Sequence, residues 1–157
     1  MKKVSVLMGS EKDLPVMGKA AQMLERFGVP HDVLVVSAHK TLDRALEYAD
    51  QAAASGVGII IAGAGKAAHL AGVMAGRTTL PVIGVPLSAS LDGLDALLAT
   101  VQMPTGIPVA TVAVDGATNA ALLAVAILAL EDESLAKQLT AYRRELAEKT
   151  FREVHRG

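Results

Sequence analysis

Two kinds of apolar pattern alternate along this chain. Short runs without polar alternation, such as Ile59-Ile60-Ile61, are separated by longer stretches whose apolar residues keep helical spacing. A run with no alternation is buried on both faces, the setting of a strand inside a parallel sheet. Such runs predict strands over 2–8, 31–36, from Val57 to a break at Gly63, 81–86 and 109–114. Helical spacing predicts helices over 13–27, 42–55, from the turn after Gly65 to near Arg77, and over 91–101 and 118–130. In the first, Leu14, Met17, Ala21, Leu24 and Phe27 share a face, Pro15 suits an opening turn and Gly28 suits a stop. Gly93 weakens the helical pattern of 91–101, and 118–130 is apolar enough to be buried on most sides. A long amphipathic helix is predicted over 132–156, with Leu135, Leu139, Tyr142 and Leu146 on one stripe.

Repeated strand–helix alternation predicts an α/β fold, a three-layer α/β/α sandwich around a parallel sheet of about five strands. Right-handed crossovers place every strand-to-helix loop on one edge of that sheet. Ligands of such folds bind at the carboxyl edge beside a topological switch point. The 157 residues suit one domain, with an α/β core over 1–130 and a C-terminal helix over 131–157.

Composition narrows the chemistry. A net charge of −1 provides no basic field for nucleic acid. The longest apolar stretch, 120–130, is too short to span a bilayer, so no membrane partner is expected. Without cysteine, disulfides, thiolate metal sites and cysteine nucleophiles are excluded, and a cytoplasmic setting is expected. Met1-Lys2-Lys3-Val4 runs directly into a strand pattern and shows no signal-peptide cleavage motif. Hydrophobic residues make up 52% and aromatics 3%, so small aliphatic side chains must build the core. A surface left so apolar also favours a homo-oligomer.

Three predicted loops carry polar groups able to do chemistry. Gly9-Ser10-Glu11-Lys12-Asp13 offers a hydroxyl, a cation and a carboxylate suited to a sugar diol, although Ser10 and Asp13 are equally helix-capping residues. Ser37-Ala38-His39-Lys40 places an imidazole at a strand end beside an ammonium that can hold a phosphate. Gly63-Ala64-Gly65 reads as a turn bringing bare backbone to a ligand, followed by a helix whose first turn holds Lys66 and His69. A cation there opposes the helix dipole, so Lys66 faces either solvent or an anion. His31 and His155 have no such setting and are expected at the surface. No histidine pair has metal-ligand spacing, and neither the phosphate-loop nor the dinucleotide glycine motif is present, so no metal or cofactor is expected.

These loops occur in order with further motifs: Met8-Gly9-Ser10, Val36-Ser37-Ala38-His39, Ala67-Ala68-His69-Leu70, Leu80-Pro81-Val82-Ile83-Gly84-Val85-Pro86, and Val101-Gln102-Met103-Pro104 with Gly106-Ile107-Pro108. Over residues 4 to about 130 the chain resembles the PurE family of purine biosynthesis, most closely its class I branch. The resemblance implies a flavodoxin-like sheet and an octamer with sites at subunit junctions. It implies a mutase that moves a carboxylate from the exocyclic nitrogen to the ring carbon of an aminoimidazole ribonucleotide, without ATP, metal or cofactor. By position, His39 and His69 are the implied catalytic residues, His39 as general acid/base. Ser10, Ser37 and Lys40 fall at the implied phosphate end and Asp13 at the ribose, and Ala38 is a further implied substrate-binding residue. Gly63, Gly65, Ala67 and Leu70 fall around the imidazole and the migrating CO2. Against the family pattern, Lys12 replaces a serine, Lys40 an arginine, Lys66 a glycine and Ala71 a proline. Lysine after the histidine also occurs in the class II branch, which carboxylates aminoimidazole ribonucleotide directly. A direct carboxylase and a non-catalytic ribonucleotide-binding paralogue are therefore the alternative readings.

Overall fold

The computed structural model describes residues 1–152 and 154. Its strands are β1 (Lys3–Met8), β2 (His31–Val35), β3 (Val57–Gly65), β4 (Val82–Leu87) and β5 (Ala110–Thr111). All pairings are parallel, in the order β2-β1-β3-β4-β5. The helices are α1 (Leu14–Arg26), α2 (Leu42–Ala52), α3 (Leu70–Arg77), α4 (Leu94–Val101), α5 (Ala117–Leu128) and α6 (Glu133–Thr150). The chain thus forms the expected three-layer α/β fold with a long C-terminal helix.

The strands are apolar throughout because both faces are covered. Val4, Val6 and Met8 of β1, with Ile59 and Ile61 of β3, pack on α1 and α5. Leu7 and Ile60 point the other way, toward the alanine face of α2 and Leu70, Ala71 and Met74 of α3. Ser5 is a polar residue within this sheet, fully buried, and its hydroxyl is satisfied by the Tyr48 hydroxyl on α2 at 2.5 Å. The α6 helix docks through Leu135, which is fully buried, and through Tyr142. The Tyr142 ring meets the Phe27 ring edge-on at 5.7 Å and lies under the Arg26 guanidinium at 4.9 Å. Arg26 also pairs with Glu145 at 2.7 Å.

Several boundaries differ from the sequence expectation, each for a local reason. The third strand does not break at Gly63 but runs to Gly65, with Gly63, Ala64 and Gly65 paired to Val85, Pro86 and Leu87 of β4. The helix expected over 91–101 begins only at Leu94, because Leu91, Asp92 and Gly93 all have positive φ (46°, 54° and 82°). The fifth strand is two residues rather than the six of 109–114: it is an edge strand, and a left-handed Asp115 (φ 56°) turns the chain away. α2 ends at Ala52 rather than residue 55, and the turn beyond it closes at Gly56, whose φ is +88°. α5 buries one face, through Ala117, Ala120, Ala121, Ala124 and Val125, rather than most sides; Leu123 is exposed. α6 starts after Asp132, whose carboxylate accepts from the Leu135 N–H at 3.0 Å, and Phe151 has left the helix. Leu146, expected on the buried stripe, is 53% exposed. The helix expected over 153 and 155–156, and the surface position expected for His155, lie outside the described residues.

Gly63 shows what the corrected third strand requires. A Cβ at this position would run into the Sδ and Cε of Met17, itself fully buried on α1. The missing side chain therefore lets α1 approach the sheet. Gly63→Ala is expected to cost about 1–3 kcal/mol of stability through overpacking. The check is a lower urea midpoint with an unchanged denaturant slope.

Candidate active site

In this sheet order β2 lies on one side of β1, and the chain then crosses back to place β3 on the other side. The crevice at that switch opens above the carboxyl ends of the two central strands. The loops after β1, β2, β3 and β4 enclose a cleft there of about 490 Å³. Ser10, Asp13, Ser37, Ala38, His39, Lys40, Gly65, Ala67, His69 and Leu70 all line it. Gly63 does not line it; it serves helix packing, as described above.

Each wall is held by local backbone chemistry. Ser10 and Asp13 form a reciprocal cap: the Ser10 hydroxyl accepts from the Lys12 N–H, and the Asp13 carboxylate accepts from the Ser10 N–H, both at 3.2 Å. Both residues therefore cap the turn into α1 and also line the cleft. Burial raises the Asp13 carboxyl above its ordinary value, and the Ser10 N–H partly offsets this. A half-buried carboxylate with spare acceptor capacity suits a donor pair such as a diol.

In the loop after β2, Ser37 is the organiser. Its hydroxyl oxygen accepts from the Lys40 N–H at 3.1 Å and, at 3.4 Å, from the His39 N–H. Thr41 ties the same residue, its hydroxyl accepting from the Ser37 N–H at 2.9 Å and donating to the Ser37 carbonyl at 3.1 Å. These bonds aim His39 over β1 toward the end of β3. There His39 Nε2 lies 2.8 Å from His69 Nδ1, with the rings nearly perpendicular at 81°. A hydrogen bond between two imidazole nitrogens requires one proton between them. Residues from two different loops are thus joined by one hydrogen bond in the lining of the cleft.

The loop after β3 departs from the sequence expectation. His69 is the N-cap of α3 rather than part of its first turn. Lys66 lies before the helix, in a bend, with φ +54°. A non-glycine residue in this left-handed region costs about 1–2 kcal/mol. Ala89, on the loop after β4, is a lining residue that the sequence reading missed. Its signal was the small Ser88-Ala89-Ser90 segment that follows the buried run of β4. A Cβ on Gly65 would lie 2.6 Å from that of Ala89, so glycine at 65 allows the fourth loop to close against the third. Asp115 secures the fourth loop, accepting from both the N–H and the hydroxyl of Ser88.

Comparison with known proteins places the chain among relatives. A family model described as AIR carboxylase matches residues 3–149. An N5-carboxyaminoimidazole ribonucleotide mutase of Pyrococcus horikoshii is 53% identical over 154 residues, 98% of this chain and 87% of that protein. A chloroplastic phosphoribosylaminoimidazole carboxylase of Vigna aconitifolia is 55% identical over 148 residues, 94% of this chain but only 27% of that longer enzyme. The crystal structure of Treponema denticola PurE matches with a TM-score of 0.85 at 32% identity, over 93% of this chain and 92% of that one.

The double tie on Ser37 yields a test of the second loop. Thr41→Val removes both side-chain bonds and is expected to cost about 0.5–1.5 kcal/mol per bond. Amide hydrogen exchange at residues 37–40 should accelerate, with little change in the strands.

Proposed function

The chain belongs to the AIR carboxylase (PurE) family, and on that premise we propose that it converts carboxyaminoimidazole ribonucleotide to its ring-carboxylated isomer in purine biosynthesis. It is an isomerase, like the full-length relatives named as mutases. What carries the assignment to particular side chains is the His39–His69 pair, bonded at 2.8 Å inside the cleft.

The reaction moves CO2 from a nitrogen to a carbon. Breaking the N–C bond leaves a pair on nitrogen that must take a proton. Forming the new C–C bond leaves a ring-carbon proton that must be removed. One proton goes in and one comes out, so a single imidazole can do both and return to its starting state. In this reading His39 carries that proton and His69 holds the ring and its tautomer. Ser10, Ser37 and Lys40 take the phosphate, and Asp13 accepts from the ribose hydroxyls. The small walls at Ala64, Gly65, Ala67 and Ala89 confine the freed CO2 beside the carbon that recaptures it. A ribonucleotide is the implied substrate. A reducing cytoplasm suits a chain without cysteine, and no helix among the described residues is long and apolar enough to cross a membrane.

One observation supports a second reading. Lys40 stands where the mutase pattern has arginine, and the plant relative is named a carboxylase. Purified protein supplied with each imidazole ribonucleotide in turn separates the two. Turnover of the carboxyamino compound without ATP supports the mutase, whereas a higher kcat/KM for aminoimidazole ribonucleotide with bicarbonate sinks it. His39→Asn is expected to lower kcat by roughly 10²–10⁴-fold with substrate affinity retained. Wild-type turnover by that variant would remove His39 from its role.

We also propose that the chain works as a homo-oligomer, an octamer by family resemblance. Leu94, Leu98 and Val101 form an apolar stripe at helical spacing along α4, with exposures of 57%, 51% and 43%, and Leu91 in the turn before it is 74% exposed. A second subunit is the natural cover for such a stripe. Leu94→Glu combined with Leu98→Glu is expected to lower the mass measured by light scattering. An unchanged mass would place the interface elsewhere.

A further inference from the structure

We propose that Lys66 is a substrate-binding cation that grips the migrating carboxylate, and that the chain tolerates a strained backbone to place it there. The proposal rests on the mutase reading above and goes beyond it, since the family pattern has glycine at this position.

Folding gives no reason for the lysine. Its φ of +54° is one that glycine adopts without steric cost. It begins no helix, because α3 starts only at Leu70. Lys3, Lys137 and Lys149 each pair with a carboxylate, whereas Lys66 enters none of the ion pairs found among the described residues. It lines the cleft nonetheless.

The position of Lys66 indicates which end of the substrate it meets. Lys40 follows β2 and Lys66 follows β3, with β1 between them. Lys66 stands between Gly65 and Ala67, in the small-residue wall read above as enclosing the freed CO2. Asp95 on α4, which feels its charge, is held below the usual carboxylate range chiefly by the Ser90 hydroxyl, with Lys66 the smallest contributor, so Asp95 does not occupy the lysine. The cleft is therefore lined by two cations from different loops, Lys40 and Lys66, and among the described residues Asp13 is the only carboxylate lining it. A ribonucleotide with a phosphate at one end and a carboxylate on its base has matching charges. With Lys40 on the phosphate, Lys66 is left for the carboxylate.

This assignment has a kinetic signature. Substrate and product both carry the carboxylate, whereas the CO2 between them is neutral. A cation at that end stabilises both bound ground states and not the species between them. It therefore lowers KM and, by deepening the bound state without lowering the barrier top, lowers kcat with it. It also favours carboxylated nucleotides over aminoimidazole ribonucleotide, which lacks the anion.

The test compares wild type, Lys66→Gly and Lys66→Arg. Lys66→Gly is expected to be more stable, read as a higher urea midpoint, because the strain is relieved. Its KM for carboxyaminoimidazole ribonucleotide should rise roughly threefold to tenfold, with kcat rising alongside it and kcat/KM changed far less. Inhibition by aminoimidazole ribonucleotide should be unaltered. Lys66→Arg should keep the wild-type KM, and added salt should narrow the gap between wild type and Lys66→Gly. An unchanged KM in Lys66→Gly, or an equal loss of affinity for aminoimidazole ribonucleotide, overturns the proposal while leaving the mutase reading intact. A wild-type protein that does not convert the carboxyamino compound overturns both.

Discussion

The pairing of β1 with β3 is the constraint on which the rest depends. Its register runs from Val4 opposite Ile59 to Met8 opposite Gly63, a ladder whose residues are almost all buried. Because β2 lies on the other side of β1, the chain must cross to opposite faces of the sheet on either side of this seam. The crossover loops therefore diverge above it and leave a crevice that no side chain of the core can fill. Chemistry collects there because it is where a tightly packed parallel sheet cannot close. A shift of one residue in this ladder would turn Met8 and Ile61 to the other layer and move the loops after β1 and β3 with them.

The imidazole pair is the functional counterpart of that seam. His39 arrives from the loop after β2 and His69 from the N-cap of α3, and they meet at 2.8 Å across the end of β1. Neither loop makes this arrangement alone. The Ser37 hydroxyl and Thr41 fix one ring, and the start of α3 fixes the other. The precision of the pair thus derives from backbone capping, which is inexpensive chemistry, rather than from a dense network of buried polar groups. Among the described residues no buried side-chain nitrogen or oxygen lacks a partner.

Much of this was legible in the sequence, and the failures have physical reasons. The unbroken Ile59-Ile60-Ile61 run identified a strand buried on both faces, and the helical spacing of Met17, Leu24 and Phe27 identified the helix that covers it. The loops that carry the candidate site could be picked out because strand-to-helix loops fall on one edge, and the roles of single residues in them came from the resemblance to the PurE family. Gly63 was misread because a glycine beside a cleft looks the same in sequence whether it clears a ligand or the Met17 sulfur. Val109–Val114 was too long a strand because β-branched residues say nothing about whether a partner strand is there to pair with. Lys66 was placed in a helix because its neighbours Ala67 and Ala68 favour one, and a positive φ carried by lysine has no sequence signature. Ala89 was missed because an alanine advertises no chemistry.

Small aliphatic packing has a further effect on how this molecule can be observed. There is no tryptophan and there are two tyrosines, one in each layer of the sandwich. Tyr48 is bonded to Ser5 on the α2 side, and Tyr142 meets Phe27 edge-on and lies under Arg26 on the α6 side. Each ring thus reports optically on a different face of the same sheet. Replacing either one with phenylalanine would leave an intrinsic fluorophore confined to a single layer, so that loosening of the C-terminal helix could be watched separately from loosening of the layer beneath the second loop.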